Sequence, residues 1–355
     1  MNLIGDHTDY SGGLALPLAV NLGTTVRLTS RSTGRFTARS SLLPDEEVDV
    51  PLDALDDVPY RWARYVAGAV RLLHDDGVEV GGVEVDVDSS LPVGAGLSSS
   101  AALVCATLGA LLDATGRRWD RQRIALAAQR VENEYLGAPV GVMDPTVVMH
   151  ARAAHALLLD ARTLARKQIP LPLAPPDAQE GCVLLVVDTH ASHSTGDDAY
   201  AERVSQCATA AEVLRVGSLR DVGVEALAAI ADPLLRARAR HVVSENERVL
   251  TVASLLGDGR VEDIGPVLTD SHRSLRDDYA VSTDALDLVV GSALDAGALG
   301  GRVTGAGFGG SAVVLVPAPQ ARRVAAAVRR SLVTQGMTQP TVRAVTASGA
   351  AGPVP

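Results

Sequence analysis

One segment limits this chain more than any other: residues 101–112 read AALVCATLGALL and have no polar face. A helix that is apolar all round must be covered on every side. The segment therefore predicts a helix over 101–114 sunk in a core that other elements build. What precedes it suits that role. Residues 78–88 (VEVGGVEVDVD) put valines at mostly alternate positions, the period of a half-buried strand. Between the two lies SSLPVGAGLSSS, a turn rich in glycine and serine. The apolar run is too short to span a bilayer, so no membrane contact is expected.

A second, amphipathic helix is predicted over 120–136, with Ile124, Ala128, Val131 and Tyr135 on one side. Residues 167–180 (KQIPLPLAPPDAQE) carry four prolines, which break both helices and ladders. A length of 355 residues suggests about two domains, and this stretch is expected to separate one over 1–170 from another over 181–348. Beyond it the pattern gives a buried strand at 182–188 and helices around 199–215, 224–256 and 283–296. The closing run is strand, glycine loop and strand (301–316), then a helix (320–334) and a strand (341–346). Residues 349–355 are expected to be a disordered tail. Strands and helices mix without regular βαβ alternation, which favours an α+β fold.

The formal net charge is −10, the wrong sign for a protein that must neutralise nucleic-acid phosphates. Three cysteines, Cys105, Cys182 and Cys207, lie far apart with no CxxC pair. That count suits a reducing cytoplasm better than a disulfide framework, and no basic-then-apolar signal segment opens the chain.

Two glycine loops compete as phosphate sites. In the first, Gly94, Ala95, Gly96, Leu97, Ser98, Ser99 and Ser100 lie between a strand and a helix, where backbone N–H groups and the helix dipole attract anions. A Walker loop needs a lysine just before its Ser/Thr, and the only lysine is Lys167. The loop is thus a phosphate loop of another type or a structural turn. The second, Gly305 to Gly310, matches GxGxxG in letters, but a strand pattern follows it and Arg330 stands where a dinucleotide site needs an acid. It reads as a glycine-rich hairpin.

Asp6, His7, Thr8, Asp9 and Tyr10 crowd into one glycine-bounded loop, able to grip a polyhydroxylated ligand or simply to form an Asx-type turn. Glu132 and Glu134 sit on the second helix, where a solvated face is the plain alternative. Asp144 precedes Pro145 at a helix start, a position that also suits an N-cap. His190 and His193 lack metal-ligand spacing, and Cys207 on a helix is expected to be packed.

Taken together these stretches resemble the galactokinases of the GHMP small-molecule kinase superfamily. NLIGDHTDYSGGLALP resembles the galactokinase signature, LPVGAGLSSSAA the superfamily ATP loop, and RVTGAGFGGSAVVLV its third motif. Similar stretches are VENEYLGAPVGVMD, the region around Tyr200, RARHVVSENERV and SHRSLRDDY. The resemblance implies an N-terminal domain like ribosomal protein S5 domain 2 and a ferredoxin-like C-terminal domain. It implies transfer of the ATP γ-phosphoryl group to the anomeric hydroxyl of galactose or a related sugar. By position, Gly94 through Ser100 would wrap the phosphates, Ser100 and Glu132 would hold Mg²⁺, and Asp144 matches the catalytic aspartate. Asp6, His7, Thr8, Asp9, Gly141 and Tyr200 would contact the sugar. A monomer is expected.

Three departures stand out. Asp6 replaces the family's usual Glu, and Pro145 its usual Gln. The family's arginine falls two residues before the Asn of the signature, ahead of Met1, so the chain is expected to extend upstream.

Overall fold

A computed structural model of the chain describes residues 1–92, 94–191 and 196–354, with the backbone alone at 196 and 197. Its two compact units are not consecutive halves of the sequence. The larger comprises Met1–Asn21, Gly94–Leu97 and Ala151–Gly349; the smaller comprises Leu22–Val93, Ser98–His150 and Ala350–Pro355. The proline-rich 167–180 stretch therefore does not divide them. Residues 1–21 stay with the C-terminal half because Leu14–Ala15 pairs antiparallel with His155–Asp160, which pairs in turn with Arg166–Pro170.

In the smaller unit the four-stranded sheet runs Thr24–Arg31, Gly82–Ser89, Arg35–Ser40, Val48–Pro51. Only the Arg35–Ser40 and Gly82–Ser89 pair is parallel. Val83, Val85 and Val87 are buried while Glu84 and Asp86 are less so, the alternation that the sequence carries. They join a core with the helices Arg61–Asp75 and Ser99–Ala114, the latter being the expected apolar helix. Asp120 caps the next helix, Arg121–Arg130, by accepting from Arg123 N–H at 2.7 Å.

That helix does not run on to 136 as an α-helix. It passes into a single π-helical turn, Val131–Tyr135. Room for the turn comes from Gly68 on the Arg61–Asp75 helix, where a methyl group would lie 2.9 Å from Val131 Cγ1. The helix Met143–His150 follows. The expected disordered tail is tied down at Ala351, whose N–H donates to Val148 O (2.8 Å) and whose carbonyl accepts from Arg121 (2.9 Å).

In the larger unit the main sheet runs Thr341–Val345, Cys182–Asp188, Ser311–Pro317, Gly300–Thr304, antiparallel throughout. Taken in chain order the strands stand 4-1-3-2, with helices between the first and second and between the third and fourth: the ferredoxin-like arrangement. Among the described residues five α-helices accompany it, Gly196–Val213, Pro233–Gly257, Ile264–Asp277, Asp284–Asp295 and Ala321–Thr334. The predicted helix over 224–256 is broken in two. Asp232 caps Pro233–Gly257 by accepting from Leu234 and Leu235 N–H, and Pro233 suits only a first turn.

Candidate active site

The loop that follows Gly5 folds on itself. The buried Thr8 hydroxyl lies 2.9 Å from Gly5 O and 2.7 Å from Leu14 O, so it closes its own loop. Asp9, half-buried, accepts from Tyr10 N–H at 3.0 Å. His7 adopts φ 62, a left-handed conformation that non-glycine residues rarely take. Burial pushes its imidazole down to about 3, so the ring is neutral. Its Nε2 lies 3.1 Å from Ala306 O, which can only accept, so Nε2 carries the proton. Nδ1 is then the acceptor of a hydrogen bond that the Tyr10 hydroxyl donates at 3.0 Å. Tyr10 in turn accepts from Tyr279 at 2.5 Å, and Tyr279 from the Cys207 thiol at 3.1 Å. The bonds run in one direction, from Cys207 to the imidazole. Tyr200 joins the group, its ring centroid 5.5 Å from His7 and 5.6 Å from Tyr10.

Asp6 is 3% exposed and is drawn inward rather than presented to solvent. Its carboxylate pairs with the fully buried Arg302 at 2.5 Å and accepts from Gly305 N–H at 3.2 Å. Burial raises the Asp6 carboxyl, and Arg302 opposes the rise. Arg302 also donates to Ser271 Oγ and Leu3 O and lies 3.6 Å from Glu245. Glu245 accepts from Gly5 N–H, Ser271 and Arg248. His241 ties Asp6 O to Ser274. A buried ionic group of this kind is tolerated only when each charge has partners.

Three loops named from the sequence meet in this unit. Asp6 and His7 bond to Gly305 and Ala306, while Gly96 packs against Thr304 and Gly305. The GxGxxG loop is the bend of a hairpin in which Thr304 pairs with Ser311, and Phe308 in it has φ 60.

The smaller unit holds Ser98, Ser99, Ser100, Glu132, Gly141 and Asp144. Ser98 precedes the Ser99–Ala114 helix with φ 58 and ψ 37, a strained entry of the kind that clusters at functional sites. Asp144 lies in the first turn of Met143–His150 and is half-buried. Glu132 is buried on the π-helical turn. Burial foremost, and then the Asp144 carboxylate, push its carboxyl up to about 7, against a hydrogen bond from Ser100 and the charge of Arg61. Two carboxylates and a hydroxyl are the hard oxygen donors that Mg²⁺ takes, with water and phosphate completing the shell. Among the described residues no three His, Cys, Asp or Glu side chains group together as a metal cage.

His190 sits on an exposed loop against Thr341, and His193 lies outside the described residues. Cys207 is buried, as expected. The sequence pattern missed Tyr279, His241, Glu245 and Arg302 as site supports. All four fall inside the motif-like stretches, which was the one available signal.

The match to known proteins follows the same residues. Residues 64–152 match the family model for the GHMP kinases N terminal domain, 252–334 that for GHMP kinases C terminal, and 1–29 the galactokinase galactose-binding signature. The fold is shared with the Methanococcus jannaschii mevalonate kinase, at TM-score 0.67 and 17% identity over 98% of this chain and 96% of that one. Fold and motifs together define a GHMP kinase. The chain is 46% identical to the galactokinase of Mycobacterium tuberculosis strain H37Rv over 99% of its own length and 96% of the relative's. It is 41% identical to that of Streptomyces coelicolor, over 99% and 91%. The crystal structure of Lactococcus lactis galactokinase complexed with galactose superposes at TM-score 0.92, with 29% identity over 99% of this chain and 92% of that one. This chain belongs to the galactokinase family.

Proposed function

We propose that the protein transfers the γ-phosphoryl group of ATP to the anomeric hydroxyl of galactose, giving galactose 1-phosphate and ADP. The observation that carries this reading is the 46% identity to a galactokinase along 99% of the chain. Asp144 takes the role of accepting or orienting the proton of the sugar hydroxyl, which phosphoryl transfer needs held in line. Residues 94–100 are assigned to the nucleotide phosphates through backbone N–H groups at a helix start. Asp9, Gly141 and Tyr200 are assigned to the sugar, with His7 holding the loop of Asp9 in shape. Asp6, paired with Arg302, supports that loop from behind. Ser100 and Glu132 are the residues that would hold Mg²⁺, which when bound neutralises charge on the transferring phosphoryl group. Cytoplasmic placement fits three free, buried cysteines, and among the described residues no helix is long and apolar enough to cross a membrane.

The test is ADP release over a sugar panel (galactose, 6-deoxygalactose, arabinose, N-acetylgalactosamine), with ³¹P NMR of the product. Galactose should give the highest kcat/KM and a phosphate on the anomeric oxygen. A different preferred sugar, or a phosphate on another oxygen, would overturn the assignment.

A further inference from the structure

Residues 136–142 belong to no helix or strand, include two glycines, and lead directly into the helix that carries Asp144. Within it, Val140 N–H donates to Ala138 O at 2.8 Å. Val140 is also gripped at both main-chain groups by side chains from the preceding helix and its π-helical turn. Asn133 Oδ1 accepts from Val140 N–H at 3.0 Å, and Gln129 Nε2 donates to Val140 O at 3.1 Å. A primary amide offers one acceptor and two donor hydrogens. Here one amide supplies the acceptor and the other a donor, so the orientation of the chain entering Gly141 is fixed. A further bond, Ala138 N–H to Glu132 O at 3.0 Å, anchors the segment to the same π-helical turn.

The core does not explain these amides. Asn133 is exposed and Gln129 half-buried, and neither belongs to the apolar cluster of this unit. We infer that Gln129 and Asn133 are positioning residues: by clamping Val140 they set where Gly141 and Asp144 stand, and through them turnover. The adjacent Glu132 faces inward, so one π-helical turn orients the proposed cation ligand on one side and the segment leading to Asp144 on the other. This rests on the reading of Asp144 given above.

The experiment uses the full chain with galactose and Mg²⁺-ATP. Asn133→Ala removes the side-chain acceptor and leaves Val140 N–H only Ala138 O within its own segment, and Gln129→Met removes the donor at similar size. Asn133→Asp keeps an acceptor oxygen at the same reach. Asp144→Asn and the double variant Asn133→Ala/Asp144→Asn complete the set. Misplacing a reacting group slightly is costly, so Asn133→Ala and Gln129→Met should each lower kcat by about tenfold or more. Asn133→Asp should stay within about twofold of the parent, because the bond it makes is retained. In the Asp144→Asn background, Asn133→Ala should add less than about twofold, as expected of two residues acting through one group. An Asn133→Asp variant as slow as Asn133→Ala, or an undiminished cost of Asn133→Ala in the double variant, would defeat the inference alone. Parent-like turnover by Asp144→Asn would defeat the Asp144 reading and the inference with it.

Discussion

Gly96 and Gly305 touch backbone to backbone. A methyl group on Gly96 would lie 2.7 Å from Thr304 O, and one on Gly305 would lie 2.8 Å from Gly96 Cα. Both residues have positive φ, 67 and 82. The glycine-rich hairpin is therefore more than a bend between two strands, since it provides the flat surface on which the 94–97 segment rests.

Alanine at either position meets both the contact and the backbone penalty, which for a left-handed conformation is about 1–2 kcal/mol. Gly96→Ala and Gly305→Ala should lower Tm and raise KM for ATP. Gly109 is the contrast, lying inside the Ser99–Ala114 helix with nothing within 4 Å of where its Cβ would stand. Gly109→Ala should stabilise by about 0.5–1 kcal/mol. Thermal melts and ATP titrations check all three, and a Gly305→Ala enzyme with parent values would refute the packing argument.

The directed bonds from Cys207 to His7 predict an order of effects. Tyr10→Phe leaves the buried Nδ1 of His7 without its donor, a loss of about 1–3 kcal/mol. Tyr279→Phe leaves the Tyr10-to-His7 bond in place and should cost about 0.5–1.5 kcal/mol. In ¹⁵N NMR the His7 ring should show the Nε2–H tautomer in the parent and in Tyr279→Phe. An Nδ1–H signal in the parent would reverse the assigned direction.

How far these features could be read from sequence depended on the range of their cause. The valine alternation of 83–87 arises from neighbours in the chain, and it was legible. So was Asp144 at the start of its helix. The break at Asp232 and Pro233 is just as local, yet the apolar pattern of 224–256 ran across it and hid it. The π-helical turn was not legible either, because Ile124, Ala128, Val131 and Tyr135 keep an α-helical spacing through it and the gap that admits it is Gly68, on another helix. Asp6 gives the clearest case. The resemblance set it against the sugar, and nothing near it in the sequence pointed to Arg302, its buried partner far along the chain. Glu245 likewise has no local signal, since Gly5 N–H and Arg302 reach it from distant parts of the chain.

That pairing carries its own expectation. Removing one member of a buried ion pair costs about 3–5 kcal/mol, so Arg302→Leu and Asp6→Ala should each lose folding stability on that scale. Sugar binding should weaken in both only as the loop loosens. Urea melts alongside galactose KM separate the effects: a stable Asp6→Ala protein with a raised KM would make Asp6 a direct sugar contact instead.

Acid should destabilise the protein earlier than its carboxylates alone would require. Burial holds His7 at about 3 and His241 and His272 at about 4, against an ordinary value of 6.5. Each stays neutral in the folded state and takes a proton once unfolded. The stability they confer is complete above 6.5 and falls as pH drops, by up to about 1.4 kcal/mol per pH unit for each. Burial would raise Glu245, but Arg248 and Arg302 hold it at about 2, so it extends the loss below its ordinary 4.5. Glu132, held at about 7, and the raised Asp6 carboxyl work in the opposite sense, since each gives up a proton on unfolding near pH 5.5. Melts between pH 7.5 and 4.5 should therefore show a net uptake of no more than about two protons near pH 5.5, and a flat Tm between 6.5 and 5 would contradict this.

Glu132→Gln keeps the size of the side chain and removes the charge. It should raise the Mg²⁺ concentration needed for half-maximal turnover while leaving galactose KM nearly unchanged, as expected of an oxygen ligand to the cation. An unaltered Mg²⁺ titration would return Glu132 to a structural role.

The π-helical turn at Val131–Tyr135 makes this stretch sensitive to length in a way that no substitution scan would reveal. Such a turn holds an extra residue relative to the α-helix around it. Losing one residue there would let the helix continue regularly, but each residue contributes about 100° of rotation. Everything after the deletion would turn by that angle, swinging Asn133 away from Val140 or Glu132 away from Ser100, depending on where the cut falls. Single-codon deletions across 131–135 should therefore be lost from a selected library even at sites where many replacements survive. Evolution can change the letters of this turn more freely than it can change their number.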